Sequence, residues 1–299
     1  MKHFLKLLDW SAPEIAALLD LADRLKRERA LGVPHPILGG KTLGMIFTKA
    51  STRTRVSFEV GMYQLGGSAL FLSDRDIQIG RGESIEDTAR VLSRYLDGIM
   101  IRTFRQSDVE KLAEYGSIPV INGLTDWYHP CQVLADLMTI REYKRDLKGL
   151  KLAFIGDGNN MANSLIVGGL KMGMKVAVAC PAGYHPLKQV MDYAYDKDFV
   201  LTGDPAIAAE GADVIYTDVW TSMGQEAEAQ ARKTAFAGYC VDGALMARAN
   251  GGCVVLHCLP AHKGEEIAEG VFEAHAGEIF DQAENRLHAQ KAVMATLMK

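Results

Sequence analysis

Thr42-Leu43-Gly44-Met45-Ile46-Phe47 leads through Thr48 into Lys49-Ala50-Ser51-Thr52-Arg53-Thr54-Arg55, and then into Val56-Ser57-Phe58-Glu59-Val60-Gly61-Met62-Tyr63-Gln64-Leu65. The first run is short and apolar, as a buried strand is. In the last run apolar residues recur at helical spacing, so Ser51 or Thr52 is the expected N-cap of a helix. A strand feeding directly into a helix is the unit from which parallel α/β sheets are built. The helix start exposes backbone N–H groups and a partial positive charge. Two guanidiniums in a first turn work against that dipole, so a merely capped surface helix explains them poorly. With two hydroxyls beside them they suit a phosphate.

The alternation extends both ways from this stretch. Ser11-Ala12-Pro13-Glu14 is a capping box, followed by Ile15, Leu18, Leu19, Ala22 and Leu25 on one helical face. Further strands are expected at 68–72, 98–101 (ending at Arg102) and 118–121. Ser84 caps a helix reaching about Tyr95, and Ser107-Asp108-Val109-Glu110 reads as a second capping box. His129-Pro130-Cys131-Gln132 opens a helix over roughly Val133 to Arg145. Near Lys148-Gly149 the pattern restarts, with strands at 152–156, 175–179, 213–217 and 253–257 and a terminal helix from about Asn285 to Met298. The expected fold is α/β, with two domains that are each a parallel sheet flanked by helices. Residues 1–147 form the first and 148–284 the second. The terminal helix, about 285–299, packs back on the first, and the active site lies in the cleft between the two.

Composition narrows the function. Two domains are expected from 299 residues. The net charge of -4 disfavours nucleic acid as a partner. No apolar run approaches the roughly 18 residues of a membrane span. The start, Met1-Lys2-His3-Phe4-Leu5-Lys6, has neither a signal-peptide h-region nor an Arg/Ser-rich transit character. The five cysteines are scattered and odd in number and contain no C-x-x-C. Free thiols and a cytoplasmic location are therefore expected, with no structural zinc.

In open parallel sheets ligands sit beyond the carboxyl ends of the strands. The polar motifs fall there: Ser51 to Arg55, Arg102, His129 to Gln132, Asn159 and Asn160, Asp218, and His257 to Pro260. An arginine at a strand end is often only a solvated terminus, and a lone histidine is often structural. His129 with Gln132 nonetheless offers an imidazole and an amide suited to a carbonyl oxygen and an NH2 group. Gly156-Asp157-Gly158-Asn159-Asn160-Met161 lacks the third glycine of a dinucleotide fingerprint, because Met161 occupies its place. Its asparagines suit a carboxylate or an ammonium instead. Asp218, followed by Ser222, Met223 and Gly224, suits an α-amino-acid head group, although a simple turn would use the same residues. His257-Cys258-Leu259-Pro260 places a thiol at a strand end, where a buried free cysteine is the plain alternative. As a metal site it has too few suitably spaced ligands. Arg286 opens the terminal helix.

The motifs Ser-Thr-Arg-Thr-Arg, Arg102, His-Pro-x-Gln, Gly-Asp-x-x-Asn, Asp-x-x-x-Ser-Met-Gly, His-Cys-Leu-Pro and Glu-Asn-Arg follow one another in a fixed order. Over nearly the whole chain that order and spacing resemble the aspartate/ornithine carbamoyltransferase family. The first three motifs are common to both branches; the Ser-Met-Gly and His-Cys-Leu-Pro pair resembles the ornithine branch. Departures are Cys131, where threonine is frequent, and Gly158 before Asn159.

The resemblance implies carbamoyl transfer from carbamoyl phosphate to the δ-amine of L-ornithine, giving citrulline and phosphate, as in arginine biosynthesis. The alternative is a related transferase acting on putrescine or an acylated ornithine. It implies no cofactor, and trimers or multiples of trimers. Carbamoyl phosphate would be held by Ser51, Thr52, Arg53, Thr54, Arg55, Arg102, His129, Pro130, Cys131, Gln132, Cys258, Leu259 and Arg286, with Gln78 reaching in from a neighbouring subunit. Ornithine would be held by Asn160, Asp218, Ser222 and Met223. Arg53, Arg102, His129, Asp218 and Cys258 would be catalytic. A cis peptide is implied between Leu259 and Pro260.

Overall fold

The computed structural model describes residues 1–75, 77–79, 82–222 and 224–299, and the expected ligand Met223 lies outside them. The chain divides into two compact units, residues 1–134 with 286–299, and residues 135–285.

In the first unit strands β1 (Thr42–Phe47), β2 (Ser68–Ser73), β3 (Gly98–Arg102) and β4 (Val120–Leu124) form a parallel sheet in the order β2-β1-β3-β4. Helices α1 (Ala12–Ala30), α2 (Thr52–Gln64), α3 (Ile85–Leu92), α4 (Gln106–Tyr115) and the start of α5 (Pro130–Lys144) accompany it. Strands β1 and β3 are almost wholly buried, which accounts for their continuous apolar reading. Phe47 pairs with Arg102 and Ser73, so the chain leaves the sheet at one edge, where α2 begins. The capping box at Ser11 and Glu14 is present, and Ser51 caps α2, its Oγ accepting from Thr54 N at 3.1 Å.

In the second unit the strands are β5 (Lys151–Ile155), β6 (Lys175–Ala179), β7 (Phe199–Thr202), β8 (Val214–Thr217) and β9 (Val254–His257). They pair in parallel in the order β7-β6-β5-β8-β9. Helices α6 (Asn160–Lys171), α7 (Lys188–Ala194), α8 (Pro205–Ala209), α9 (Ala229–Ala235), α10 (Gly243–Met246), α11 (Glu269–Ala274) and α12 (Ala276–Met298) complete the chain.

Three expectations about elements change. Strand β7 is additional: a half-exposed four-residue edge strand too short to stand out in the sequence. Helix α4 starts at Gln106, so Ser107 lies inside its first turn and the N-cap is Arg105, whose side chain has no acceptor to offer the helix N–H groups. Helix α12 begins nine residues before Asn285, at Ala276. Its first turns carry Glu278 and Gln282, whose side chains accept from Val255 N at 2.9 Å and His257 N at 3.1 Å. These bonds satisfy the outer N–H groups of β9, an edge strand that would otherwise present them unpaired.

The C-terminal part of α12 packs on α2 in the first unit. A Cβ added to Gly61 would lie 2.9 Å from Met294 Cε and 3.3 Å from Lys291 Cγ, so glycine permits this close approach. Lys291 is fully buried; its Nζ donates to Gln64 Oε1 at 2.8 Å and lies 3.1 Å from His35 Nε2. Burial, reinforced by the Arg29 charge and opposed by Glu28, lowers its pKa from 10.5 to about 8. Between those values the unfolded chain binds more protons than the folded one, so stability rises with pH through this window, by up to about 3 kcal/mol. Lys291→Met is expected to remove that rise. Urea unfolding of both proteins at about pH 7.5 and about pH 10 checks this, and equal slopes with pH would contradict it.

Candidate active site

Within the first unit, the elements leaving the carboxyl edge of the sheet converge on Thr54. Thr54 Oγ1, fully buried, accepts from Arg286 Nη2 at 2.8 Å, from Ser51 Oγ at 3.0 Å and from Arg102 Nη1 at 3.5 Å. The hydroxyl thus sets the direction of two guanidiniums that come from β3 and α12. His129 is buried at the start of α5. Its pKa lies well below the ordinary 6.5, first through burial and then through the charges of Arg286, Arg102, Arg53 and Lys49. Three guanidiniums around one neutral imidazole, with Lys49 already paired to Asp126, make surroundings that favour an anion, and the imidazole can offer a hydrogen bond without adding charge.

Other residues of the motif do different work. Arg55 turns to Glu59, with Nε 3.3 Å from Oε2, and its guanidinium lies 3.8 Å from the Phe71 ring centre. Cys131 is fully buried, and its Sγ donates to Asn122 O at 3.4 Å. Burial pushes that thiol up to about 12. Its side chain therefore packs on β4. Gln132 is buried, Thr52 is exposed, and Gln78 lies exposed on a loop.

Within the second unit, the ends of β5, β8 and β9 bring a carboxylate, an amide and a thiol together. Cys258 Sγ donates to Asp218 Oδ1 at 3.0 Å, and Asn159 Nδ2 donates to Asp218 Oδ2 at 3.2 Å. Asn159 Oδ1 also caps α6, accepting from Met161 N at 2.9 Å, so one side chain fixes both the helix carrying Asn160 and the carboxylate. Gly158 packs against the backbone of 184–186, where an added Cβ would come within 2.4 Å of Tyr184 O. The glycine serves loop packing, and Met161 sits in the core; neither offers the pyrophosphate cradle of a dinucleotide site. Ser222 is half-buried in a turn whose carbonyl accepts from Gln225 N at 3.0 Å.

The loop carrying Cys258 is held from beneath. His257 Nδ1 accepts from Leu259 N at 2.9 Å, which places the ring proton on Nε2, 3.0 Å from Glu266 Oε1. The Leu259–Pro260 peptide is cis, in line with expectation. Asp218, His257 and Cys258 bring three potential metal-binding atoms within 4.8 Å of one another. Both His257 nitrogens are committed elsewhere, so this trio is poorly suited to hold an ion.

A buried ion pair fixes the approach to this cluster. Arg232 Nη1 donates to Asp157 Oδ2 at 2.7 Å and to Trp220 O at 3.0 Å, tying together the loops before Asn159 and after Asp218. Replacing Arg232 with methionine strands the Asp157 carboxylate, whose pKa burial already pushes upward. A loss of about 3 kcal/mol in urea-unfolding free energy is expected. An unchanged unfolding midpoint would show that the pair is dispensable.

Comparison with known proteins places this arrangement. The family model described as the aspartate/ornithine carbamoyltransferase carbamoyl-P binding domain matches residues 2–142, and the one described as its Asp/Orn binding domain matches residues 148–297. The chain belongs to the aspartate/ornithine carbamoyltransferase family. A relative named ornithine carbamoyltransferase from Anoxybacillus flavithermus is 58% identical over 303 residues, covering 99% of this chain and 96% of its own. One from Pelobacter propionicus is 56% identical, covering 99% and 98%. Among solved structures, the ornithine carbamoyltransferase of Pyrococcus furiosus is similar with a TM-score of 0.95 and 51% identity, covering 99% of this chain and 97% of that one. The anabolic ornithine carbamoyltransferase of Campylobacter jejuni is similar at 0.93 and 42%, covering 99% of each.

The structure gives contacts to three residues beside these clusters whose part the sequence leaves unassigned or undivided. Lys49 was quoted with the phosphate stretch but assigned no role. It is buried, its Nζ lies 2.7 Å from Asp126 Oδ1, and it stands 4.4 Å from the Phe104 ring centre. Its position two residues before Ser51 was the available signal. Asn159 was paired with Asn160 as a candidate, and the helix-capping arrangement separates their tasks. Glu266 had no signal, because its role depends on a contact across the loop that its own chain segment closes.

Proposed function

We propose that this chain transfers the carbamoyl group of carbamoyl phosphate to the δ-amine of L-ornithine, forming L-citrulline and inorganic phosphate. The carrying observation is the Asp218–Cys258–Asn159 cluster at the ends of β5, β8 and β9, which supplies an anion for an α-ammonium and a thiol beside the reacting amine. The names of the relatives support ornithine as the acceptor. Arg53, Arg102 and Arg286, with the α2 N-terminus and Ser51, hold the phosphate; Thr54 orients the arginines. His129 and Gln132 grip the carbamoyl oxygen and amide. Asn160, Asp218 and Ser222 hold the amino-acid head group.

The δ-nitrogen attacks the carbamoyl carbon, the bond from that carbon to the bridging oxygen breaks, and phosphate leaves with that oxygen and the electron pair. Negative charge grows on the carbamoyl oxygen and on the leaving phosphate, beside the cations gathered around His129. A free alkylamine has a pKa near 10, so the attacking nitrogen must lose a proton, and the Cys258–Asp218 pair is placed to take it. No protein nucleophile enters the sequence of bonds. Incubating the purified protein with both substrates tests this: citrulline and phosphate should appear one for one. Phosphate release without citrulline would identify a hydrolase instead.

A trimer is the oligomer that suits the surface. Val56, Val60 and Tyr63 on α2 and Phe71 on edge strand β2, under the Arg55 guanidinium, are exposed apolar side chains for a neighbouring copy to cover. Covering them with a neighbouring copy would also bring that copy's Gln78 into play. Sedimentation at working concentrations should give a three-chain species or a multiple of it; a monomer would overturn this assembly. The free cysteines suit a reducing cytoplasm, and the anabolic relative favours arginine synthesis as the role.

A further inference from the structure

We infer that Gln106 and Thr125 are positioning residues for the carbamoyl end of the site, holding through one buried hydrogen-bond network the turn that delivers His129. This rests on the proposed role of His129. Gln106 opens α4, four residues after Arg102, and Asn122 lies on β4; Gln106, Asn122 and Thr125 are all buried. Thr125 Oγ1 donates to Gln106 Oε1 at 2.8 Å, and Asn122 Nδ2 donates to the same oxygen at 3.4 Å and to Leu5 O at 2.8 Å. From its other side Thr125 Oγ1 accepts from Tyr128 N at 3.1 Å and Trp127 N at 3.3 Å, while Thr125 N donates to Tyr128 O at 2.9 Å. The turn Thr125–Tyr128 is thereby closed by one residue through both backbone and side chain, and His129 is the next residue along. The same turn is stitched to the Arg102 loop by Asp126 N, which donates to Phe104 O at 2.9 Å. Two ligand-bearing loops, one after β3 and one after β4, therefore share a single amide oxygen as their common anchor.

Such a network is expensive to leave half made. Valine at 125 keeps the shape of threonine and deletes the hydroxyl, leaving Gln106 Oε1 without its closest donor and the turn without its side-chain acceptor. The turn relaxes, and the imidazole it carries moves with it. A displacement of about 1 Å at a reacting group lowers rate by about 10²-fold. Water also reaches the ring. His129 is then released from the burial and from the Arg286, Arg102, Arg53 and Lys49 charges that hold its pKa low, and it titrates nearer the ordinary 6.5.

The experiment compares Thr125→Val, Thr125→Ser, Gln106→Met and His129→Gln with the wild type, using steady-state kinetics across pH and circular dichroism to confirm folding. Thr125→Val and Gln106→Met are expected to lose about 10²-fold in kcat/KM for carbamoyl phosphate while the KM for ornithine stays put. Both should gain an inflection in the pH profile near the ordinary histidine value of about 6.5 that the wild type lacks, with a circular dichroism spectrum and unfolding midpoint like the wild type's. Thr125→Ser, which keeps the hydroxyl, should behave as wild type. Gln106→Met carries the test if Thr125→Val does not fold. Wild-type kinetics and no added inflection near 6.5 in either folded variant, alongside an impaired His129→Gln, would overturn this inference alone. An unimpaired His129→Gln would overturn the role of His129 and this inference with it.

Discussion

Replacing Arg53 with alanine is expected to lower kcat/KM for carbamoyl phosphate by about 10³-fold, a loss of about 4 kcal/mol in transition-state stabilisation. Arg53 sits in the first turn of α2, where a positive side chain opposes the helix dipole, so its presence there is a cost to folding. It is half-buried and close enough to His129 to help depress the imidazole pKa. Charge accumulates on the carbamoyl oxygen and the departing phosphate only as the transition state forms. A fixed guanidinium beside them therefore stabilises that state more than the bound substrate, and kcat should fall along with affinity. Arg90 provides the contrast. It is exposed and paired with Asp87 within one helix, and its alanine variant should stay within about 0.5 kcal/mol of wild type in both stability and rate. Steady-state kinetics on both variants decide the matter. An Arg53→Ala enzyme with near wild-type kcat/KM would remove α2 from the site.

Asp218→Asn is expected to weaken ornithine binding by about 10²- to 10³-fold and to leave carbamoyl phosphate binding nearly unchanged. The carboxylate ends β8 and is already oriented by Asn159, by Cys258 and by Val219 N at 2.8 Å, so it meets an incoming ammonium without rearranging. Asparagine keeps the shape and removes the charge. Aspartate as acceptor would bring a second carboxylate towards Asp218, where like charges repel. The phosphate ligands belong to the other unit, which is why the two affinities should separate. Calorimetric titration of each substrate measures them independently. Equal weakening of both, or an unchanged ornithine affinity, would contradict this division.

Strands β1, β3, β5, β8 and β9 were legible because they are buried on both faces. Leu43, Met45 and Ile46 in β1, and Leu152 to Ile155 in β5, lie fully buried, so each strand reads as an apolar run. Arg102 at the end of β3 and Asp218 directly after β8 stand out for the same reason, each a charged side chain closing such a run. Strand β7 escaped notice because Val200 is exposed and only four residues pair. The start of α12 was hidden because Glu278 and Gln282 read as surface residues, yet they serve the open edge of β9. The arginine pair Arg53 and Arg55 looked equivalent in the sequence, and helical geometry alone separates them, sending Arg55 to Phe71 and Glu59. Thr54, placed among the phosphate ligands by resemblance, emerges as the hydroxyl that aims Arg286 and Arg102. Contacts that join distant segments, such as Arg232 with Asp157 or Gln106 with Thr125, leave no local pattern to read.

The central claim, carbamoyl transfer to the δ-amine of ornithine, is tested most directly by comparing acceptors. The purified protein should be supplied with carbamoyl phosphate and, in turn, ornithine, N-acylated ornithine, putrescine and aspartate, and the carbamoylated product of each identified and timed. Asp218 and Ser222 are the groups proposed to hold an α-amino-acid head group. Ornithine should therefore exceed putrescine, which has none, and the acylated form, which has lost its α-ammonium, by at least about 10²-fold in kcat/KM. Aspartate should give no product above background. Comparable rates with putrescine or aspartate would contradict the reading of the second unit as an ornithine site.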